Sequence, residues 1–261
     1  MPENWLILFT LVFARVGGLI ATAPVYATDD VPMRLRVVLA AALALLITPL
    51  EGDAAGAVSF GGWTQYAALL GTEAAIGAAL GLGILVFVHA MTLAGELVGQ
   101  AAGLSLAETF DPGLGENVPL FSRLMFLTAV AVFLCIGGHR MVMAGLLDTF
   151  QAIPPGSGRF PVSLGDGFTT LASQSFSLAV RVAAPAVTAL LLATLVLGLV
   201  GRTLPQMNIF ALGFGLNSLL AFAALGLTLG AAIWAFQDQI QPALETIFDP
   251  LNTPLKTQWM Q

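Results

Sequence analysis

Residues 63–107 run for about 45 positions with only two formal charges, Glu73 and Glu96, and that stretch excludes most ways of folding. A hydrocarbon core of about 30 Å takes roughly 20 helical residues, so the stretch is too long for one simple span. It predicts either two helices or one very long helix bent near Gly81 and Gly83. Further apolar segments cover 5–24, 35–50 and 120–138. The last third reads as a helical hairpin over 176–240, turning at 201–208. Only 9% of the chain's 261 residues are charged, and its mean hydropathy is +0.90. A soluble domain carries about a quarter charged residues, so this composition is that of an all-α, polytopic membrane protein built from long, bent helical hairpins.

Several local expectations follow. The first segment lacks a basic n-region and carries Glu3 and Arg15, which reads as a retained membrane helix and not a cleaved leader. Segment 35–50 would extend about 24 Å, short of a full crossing. Residues 148–175 are the most polar stretch and predict an extramembrane loop, with turn chemistry at Pro154, Pro155 and Gly156. Pro185 should kink its helix unless neighbours satisfy the freed carbonyl. Residues 241–261 read as a polar C-terminal tail. Arginines and lysines divide almost evenly between alternate loops, so charge sets no orientation.

The segment with most to say about function is 89–119. Gly95, Gly99 and Gly103 recur every fourth residue and form a narrow seam where another backbone can approach. Beside it His89, Thr92, Glu96 and Gln100 share a face, and a Gly- and Pro-rich loop follows. A carboxylate at the centre of a membrane helix costs about 2.5–3.5 kcal/mol on insertion scales, so embedded Arg15, Glu73, Glu96 and Arg181 need protein partners or water. Snorkelling to an interface is the plainer reading for Arg15 and Arg181.

Catalytic chemistry is sparse. No nucleotide loop, dinucleotide fingerprint or zinc motif occurs. Ser105 in GLSLA, with His139, only loosely resembles an intramembrane protease dyad, since Ala107 stands where a nucleophile elbow wants glycine. His89 and Glu96 are seven residues apart and form no chelating pair. The expectation is no catalytic residues, metal or cofactor. With no basic patch, nucleic acid is not an expected partner. The lone Cys135 cannot form an internal disulfide. Met141, Met143 and Met207 read as packing residues.

Four stretches, in this order, carry a resemblance: FARVGGLIATAPVYATDDVPMRLRVVLA (13–40), GELVGQAAGLSLAETFDPGLGENVP (95–119), FLCIGGHRMVMAGLLDTFQAIPPG (133–156) and LGLVGRTLPQMNIFALGFGLN (197–217). Together they resemble the FliR/SctT family of flagellar and type III secretion export-apparatus proteins, most closely its flagellar branch. The resemblance implies a non-enzymatic core subunit of the type III protein export gate. Such a subunit assembles with FliP-like and FliQ-like chains, beside FlhB-like and FlhA-like proteins, in the bacterial inner membrane at the flagellar basal body. Unfolded export substrates pass through the gate.

It also implies a division into a FliP-like part (1–175), a FliQ-like hairpin (176–240) and the tail (241–261). The loop at about 104–119 would plug the closed pore through Ser105, Phe110, Asp111, Pro112, Gly113, Gly115, Asn117 and Pro119. Gly95, Glu96, Gly99, Gln100 and Gly103 would form the packing seam and polar stripe. Arg202, Pro205, Gln206 and Asn208 would make contacts at the hairpin turn. The chain departs from the family in having Gly215 where proline is common, which permits a bend without enforcing one. The embedded polar residues also fit a small-solute secondary transporter, but the paired internal repeats expected of one are not visible in the sequence.

Overall fold

The structure, a computed structural model, describes residues 2–24, 26, 31–51, 62–103, 120–161, 164–203 and 209–258. Its elements are α1 (Pro2–Thr22), α2 (Met33–Ile47), α3 (Trp63–Ala101), α4 (Leu120–Cys135), α5 (Gly138–Ala152), α6 (Leu164–Thr203) and α7 (Ile209–Gln258). The fold is all-α, and among the described residues four helices are long and apolar enough to cross a membrane: Trp5–Thr22, Met33–Glu51, Trp63–Ala101 and Leu164–Thr203. The described plug-loop region ends at Gly103 and resumes at Leu120, so residues 104–119 lie outside the description, as do 204–208 of the hairpin turn.

The chain divides into two compact units. Unit 1 takes residues 1–87, 137–172 and 241–261. Its α1 buries Leu8, Leu11, Val12, Arg15, Val16 and Leu19, the 3–4 spacing of a helix with one covered face. Facing it, α3 buries Leu69, Glu73, Ile76, Leu80 and Ile84. Contacts between the two advance together along both helices, from Thr10 with Tyr66 at 2.5 Å to Thr22 with the Ala78 carbonyl at 3.2 Å, so they run parallel. Glycine sets how close they come. A Cβ on Gly77 would overlap the Arg15 carbonyl oxygen, one on Gly81 would overlap Thr22 Oγ1, and one on Gly18 the Ala74 carbonyl. This is a small-residue helix contact, in which backbones meet without intervening side chains.

Unit 2 takes residues 88–136 and 173–240. Here Gly95 of α3 lies against α4, where a Cβ would come within 2.5 Å of the Phe121 carbonyl oxygen. The Phe121 ring also meets Phe222 of α7, at a centroid distance of 5.1 Å. Between the arms of the hairpin, Asn217 Nδ2 donates to Thr194 Oγ1 at 3.3 Å.

Three sequence expectations change, and one alternative is decided. The long apolar stretch is a single helix of 39 residues and not two, and both Gly81 and Gly83 serve contacts along it. Gly83 makes room for Ile247. Segment 35–50 is longer than expected: α2 starts at Met33, next to Pro32, and a 3₁₀ turn continues it to Glu51, giving 19 residues. The polar stretch 148–175 is mostly helical among its described residues, with 153–161 non-helical before α6 starts at Leu164. Several of its polar residues, Asp148, Asp166, Thr169 and Thr170, sit on exposed helix positions, where Thr169 and Thr170 hydrogen-bond back to the Asp166 carbonyl.

α6 is one helix of 40 residues with Pro185 inside it, and α7 is one helix that includes Gly215. The stretch read as a polar tail carries α7 onward to Gln258, with Ala243, Leu244, Ile247 and Phe248 buried in unit 1. Phe248 fills the space over Gly145 of α5, where any Cβ would overlap its ring. The apolar positions there recur at helical spacing, which the surrounding Gln, Asp and Thr residues obscure.

Gly77 tests the parallel contact. Replacing it with alanine forces α1 and α3 apart at backbone, where no side chain can yield, and should destabilise the protein by at least the ~1–3 kcal/mol typical of overpacking. Thermal unfolding of the detergent-solubilised chain measures this. An Ala variant that melts with the parent would refute the close approach.

Candidate functional site

The charges of unit 1 come together at one place. Arg15 is fully buried and Glu73 nearly so, and an Arg15 terminal nitrogen lies 2.6 Å from Glu73 Oε2. Arg15 Nε donates to the same oxygen, also at 2.6 Å. The remaining guanidinium hydrogens go to the end of α5: one nitrogen donates to the Thr149 carbonyl at 3.0 Å and Thr149 Oγ1 at 3.3 Å, the other to the Ile153 carbonyl at 2.9 Å. These are carbonyls at the C-terminal end of a helix, where unpaired oxygens and the helix dipole both favour a cation. Phe150 adds its ring face, 4.4 Å from the guanidinium carbon.

Glu73 Oε1 is satisfied from the other side by the backbone N–H of Gly156, at 2.9 Å. Gly156 has φ +80°, and Ser157 N–H donates to the Pro154 carbonyl at 3.1 Å. The Pro-Pro-Gly sequence thus forms a turn whose third position requires positive φ, which glycine adopts without strain. The turn chemistry expected at these residues is present, and it presents an amide to a buried carboxylate. One ion pair therefore ties α1, α3, the end of α5 and the following turn together.

In sequence, Arg15 and Glu73 stand as separate embedded charges, with snorkelling open to Arg15. Instead, each is the other's partner, and Arg15 does not reach an interface. A signal was available. Arg15 is followed three residues later by Gly18 and Glu73 four residues later by Gly77, so both charges sit one turn from a residue that permits close backbone approach.

The second constellation lies in unit 2. Gly95 and Gly99 are buried, with Gly99 in ordinary contact with the Phe121 ring, 3.8 Å from an added Cβ. Gly103 closes the helix with φ +77° and open space around it, the left-handed residue that commonly ends a helix. Glu96 is half-buried and Gln100 exposed. Thr92 keeps a buried hydroxyl with no hydrogen-bond partner among the described residues. His89 is exposed, its ring tilted over Phe126 at 5.8 Å. Among the described residues no three His, Cys, Asp or Glu side chains gather as metal ligands.

The plug-loop residues Ser105, Phe110, Asp111, Pro112, Gly113, Gly115, Asn117 and Pro119 lie outside the described residues, as do Pro205, Gln206 and Asn208. Arg202 is exposed at the last turn of α6. His139, half of the loosely resembling dyad, is half-buried.

Removing one member of a buried ion pair leaves the other charge uncompensated, at a cost of about 3–5 kcal/mol. Arg15→Met and Glu73→Gln should each destabilise the chain on that scale, well beyond an exposed substitution such as Arg202→Met. Thermal unfolding of the three variants reads the difference, and a Glu73→Gln protein as stable as Arg202→Met would show that the buried pair does not hold unit 1 together.

Residues 6–243 match the family described as bacterial export proteins, family 1. Flagellar biosynthetic protein FliR of Escherichia coli K12 is 32% identical over 250 residues, covering 95% of this chain and 91% of the relative. FliR of Aquifex aeolicus is 30% identical, with 87% of each chain covered, and FliR of Bacillus subtilis is 27% identical, with 92% of each covered. With a match spanning nearly its whole length, the chain belongs to family 1 of the bacterial export proteins, the family of flagellar biosynthetic protein FliR.

Proposed function

We propose that the chain is a non-enzymatic core subunit of the flagellar protein export gate, seated in the bacterial inner membrane at the flagellar basal body. The observation that carries this reading is the 32% identity over 95% of the chain with a FliR protein. A match of that extent spans the seam, the loop and the hairpin alike. Its relatives make it a membrane component of the flagellar export apparatus, acting with other export proteins. In the finer reading those are FliP-like and FliQ-like chains in one helical assembly, with FlhB-like and FlhA-like proteins beside it and unfolded substrates passing through.

The parts have distinct mechanical roles. Residues 1–175 act as the FliP-like part and 176–240 as the FliQ-like hairpin. The seam at Gly95, Gly99 and Gly103 holds the helix that leads into the loop, and Glu96 and Gln100 are polar contacts of the assembly. The loop at 104–119 obstructs the pore at rest; its Asp-Pro-Gly and glycine-rich sequence suits a segment that changes conformation. At the hairpin turn, Arg202, Pro205, Gln206 and Asn208 face an FlhB-like chain or a neighbouring hairpin. Satisfaction of Arg15 by Glu73 within the chain supports a structural role for that pair, leaving no charge there for a substrate or a coupling ion.

Two experiments test the reading. Affinity purification from membranes should recover FliP-like and FliQ-like chains in a stable complex; a solitary protein that moves a small solute in vesicles would instead establish a transporter. Deleting 113–117 should leave that complex assembled and raise its ion conductance above that of the intact complex in planar bilayers. Unchanged conductance in an assembled complex would remove the plug from this loop.

A further inference from the structure

The helices on either side of residues 104–119 each carry a buried hydroxyl that finds no protein partner. Ser122 of α4 is only 1% exposed, and its Oγ makes no hydrogen bond among the described residues. Thr92 of α3 has a buried Oγ1 that is likewise without one. In this Thr92 stands apart from the threonines of other helices. Thr22, Thr48, Thr128 and Thr194 each donate to the carbonyl four residues back, at 2.6–2.9 Å, the usual way a helix satisfies a threonine. A buried hydroxyl left unpaired costs about 1–3 kcal/mol, and buried polar groups in native proteins are almost always satisfied by protein or by ordered water.

The two hydroxyls belong to one helix contact. A Cβ on Gly95 would lie 2.8 Å from the Ser122 Cα, and the His89 ring meets the Phe126 ring at 5.8 Å. Along this contact α3 and α4 are therefore antiparallel, with Ser122 level with Gly95. Thr92 lies three residues from both His89 and Gly95, on the face that they turn toward α4. Three residues of helix amount to about 4.5 Å along the axis, and Gly95 keeps the backbones close, so this offset is the main separation. Hydroxyls that far apart do not bond each other directly. A single water between them makes two bonds of about 2.8 Å.

We propose that Thr92 and Ser122 share a buried water between α3 and α4. A hydroxyl donates and accepts at once, so the pair can hold water in either orientation. Thr92 is half-buried as a residue, which leaves the site about one side chain below the surface and within reach of solvent. The bonds supply what glycine packing lacks. Gly95 and Gly99 let the helices approach but present nothing that resists sliding, whereas a shared water fixes the register at the cost of little immobilisation entropy. The inference concerns this contact alone, and it stands or falls independently of the gate reading.

A double-mutant cycle of Thr92→Val and Ser122→Ala in the full chain, read by thermal unfolding, tests the shared water. Both changes nearly keep side-chain volume. Each single variant should melt below the parent, and the double variant should lose less than the sum, because the second change removes a bridge the first has already broken. Additive shifts, upward or downward, would overturn the proposal, and additive gains would show two dry, unpaired hydroxyls. A direct bond between the hydroxyls also produces coupling, so an experimental density map that resolves ordered water makes the separation. Density within about 3 Å of both oxygens is the expected result. Hydroxyls bonded to each other, or each to a carbonyl of its own helix, would overturn it.

Discussion

A buried arginine is tolerable only if every donor finds an acceptor, and in this protein Arg15 meets that condition with one carboxylate, two carbonyls at a helix end and a threonine hydroxyl. Desolvating two charges costs several kcal/mol per ion, so such a pair does not by itself stabilise a fold over an apolar alternative. What it does is specify. Arg15 can be satisfied only when α1, α3 and the end of α5 hold one arrangement, and Glu73 adds the Pro154–Ser157 turn through the Gly156 amide. A slip of one turn along either helix would strand both charges in an apolar interior.

The glycines make that arrangement reachable. Gly18, Gly77 and Gly81 remove the side chains that would otherwise separate α1 from α3, and the ion pair lies within a turn of them. Burial elsewhere in unit 1 follows the same economy of space: Gly145 admits the Phe248 ring, and Gly83 admits Ile247. In a chain so rich in apolar residues, hydrophobicity alone selects no partner for any helix, since lipid accepts them all. Close approach and polar satisfaction supply the specificity that burial cannot.

This explains which parts were legible in the sequence. Class and helix content follow from charge-free lengths, and the hairpin follows from two apolar arms around a Gly- and Pro-containing turn. The turn at Pro154–Ser157 is written in its residue types. Tertiary choices are written less plainly. Whether Gly81 breaks a helix or seats a neighbour depends on what packs there, so the sequence leaves α3 open between two helices and the single one observed. The end of α7 looked like a tail because its surface residues are polar, while its apolar positions serve a core formed by distant segments. Pairing of Arg15 with Glu73 spans 58 positions of sequence, and its local trace is only a glycine one turn from each charge. Of the candidate site residues, Gly95 and Gly99 could be placed from their four-residue spacing, whereas the role proposed for the loop beyond Gly103 came from resemblance and not from periodicity.

Arg15 and Glu73 acting on each other, and not each on a partner subunit, is the claim on which the account turns. A double-mutant cycle joining Arg15→Met, Glu73→Met and the double variant, followed by thermal unfolding in detergent, measures it directly. The account predicts strong coupling, with the double variant more stable than either single one, because an apolar pair strands no charge. Additive losses, with the double variant as unstable as the two single changes combined, would contradict it.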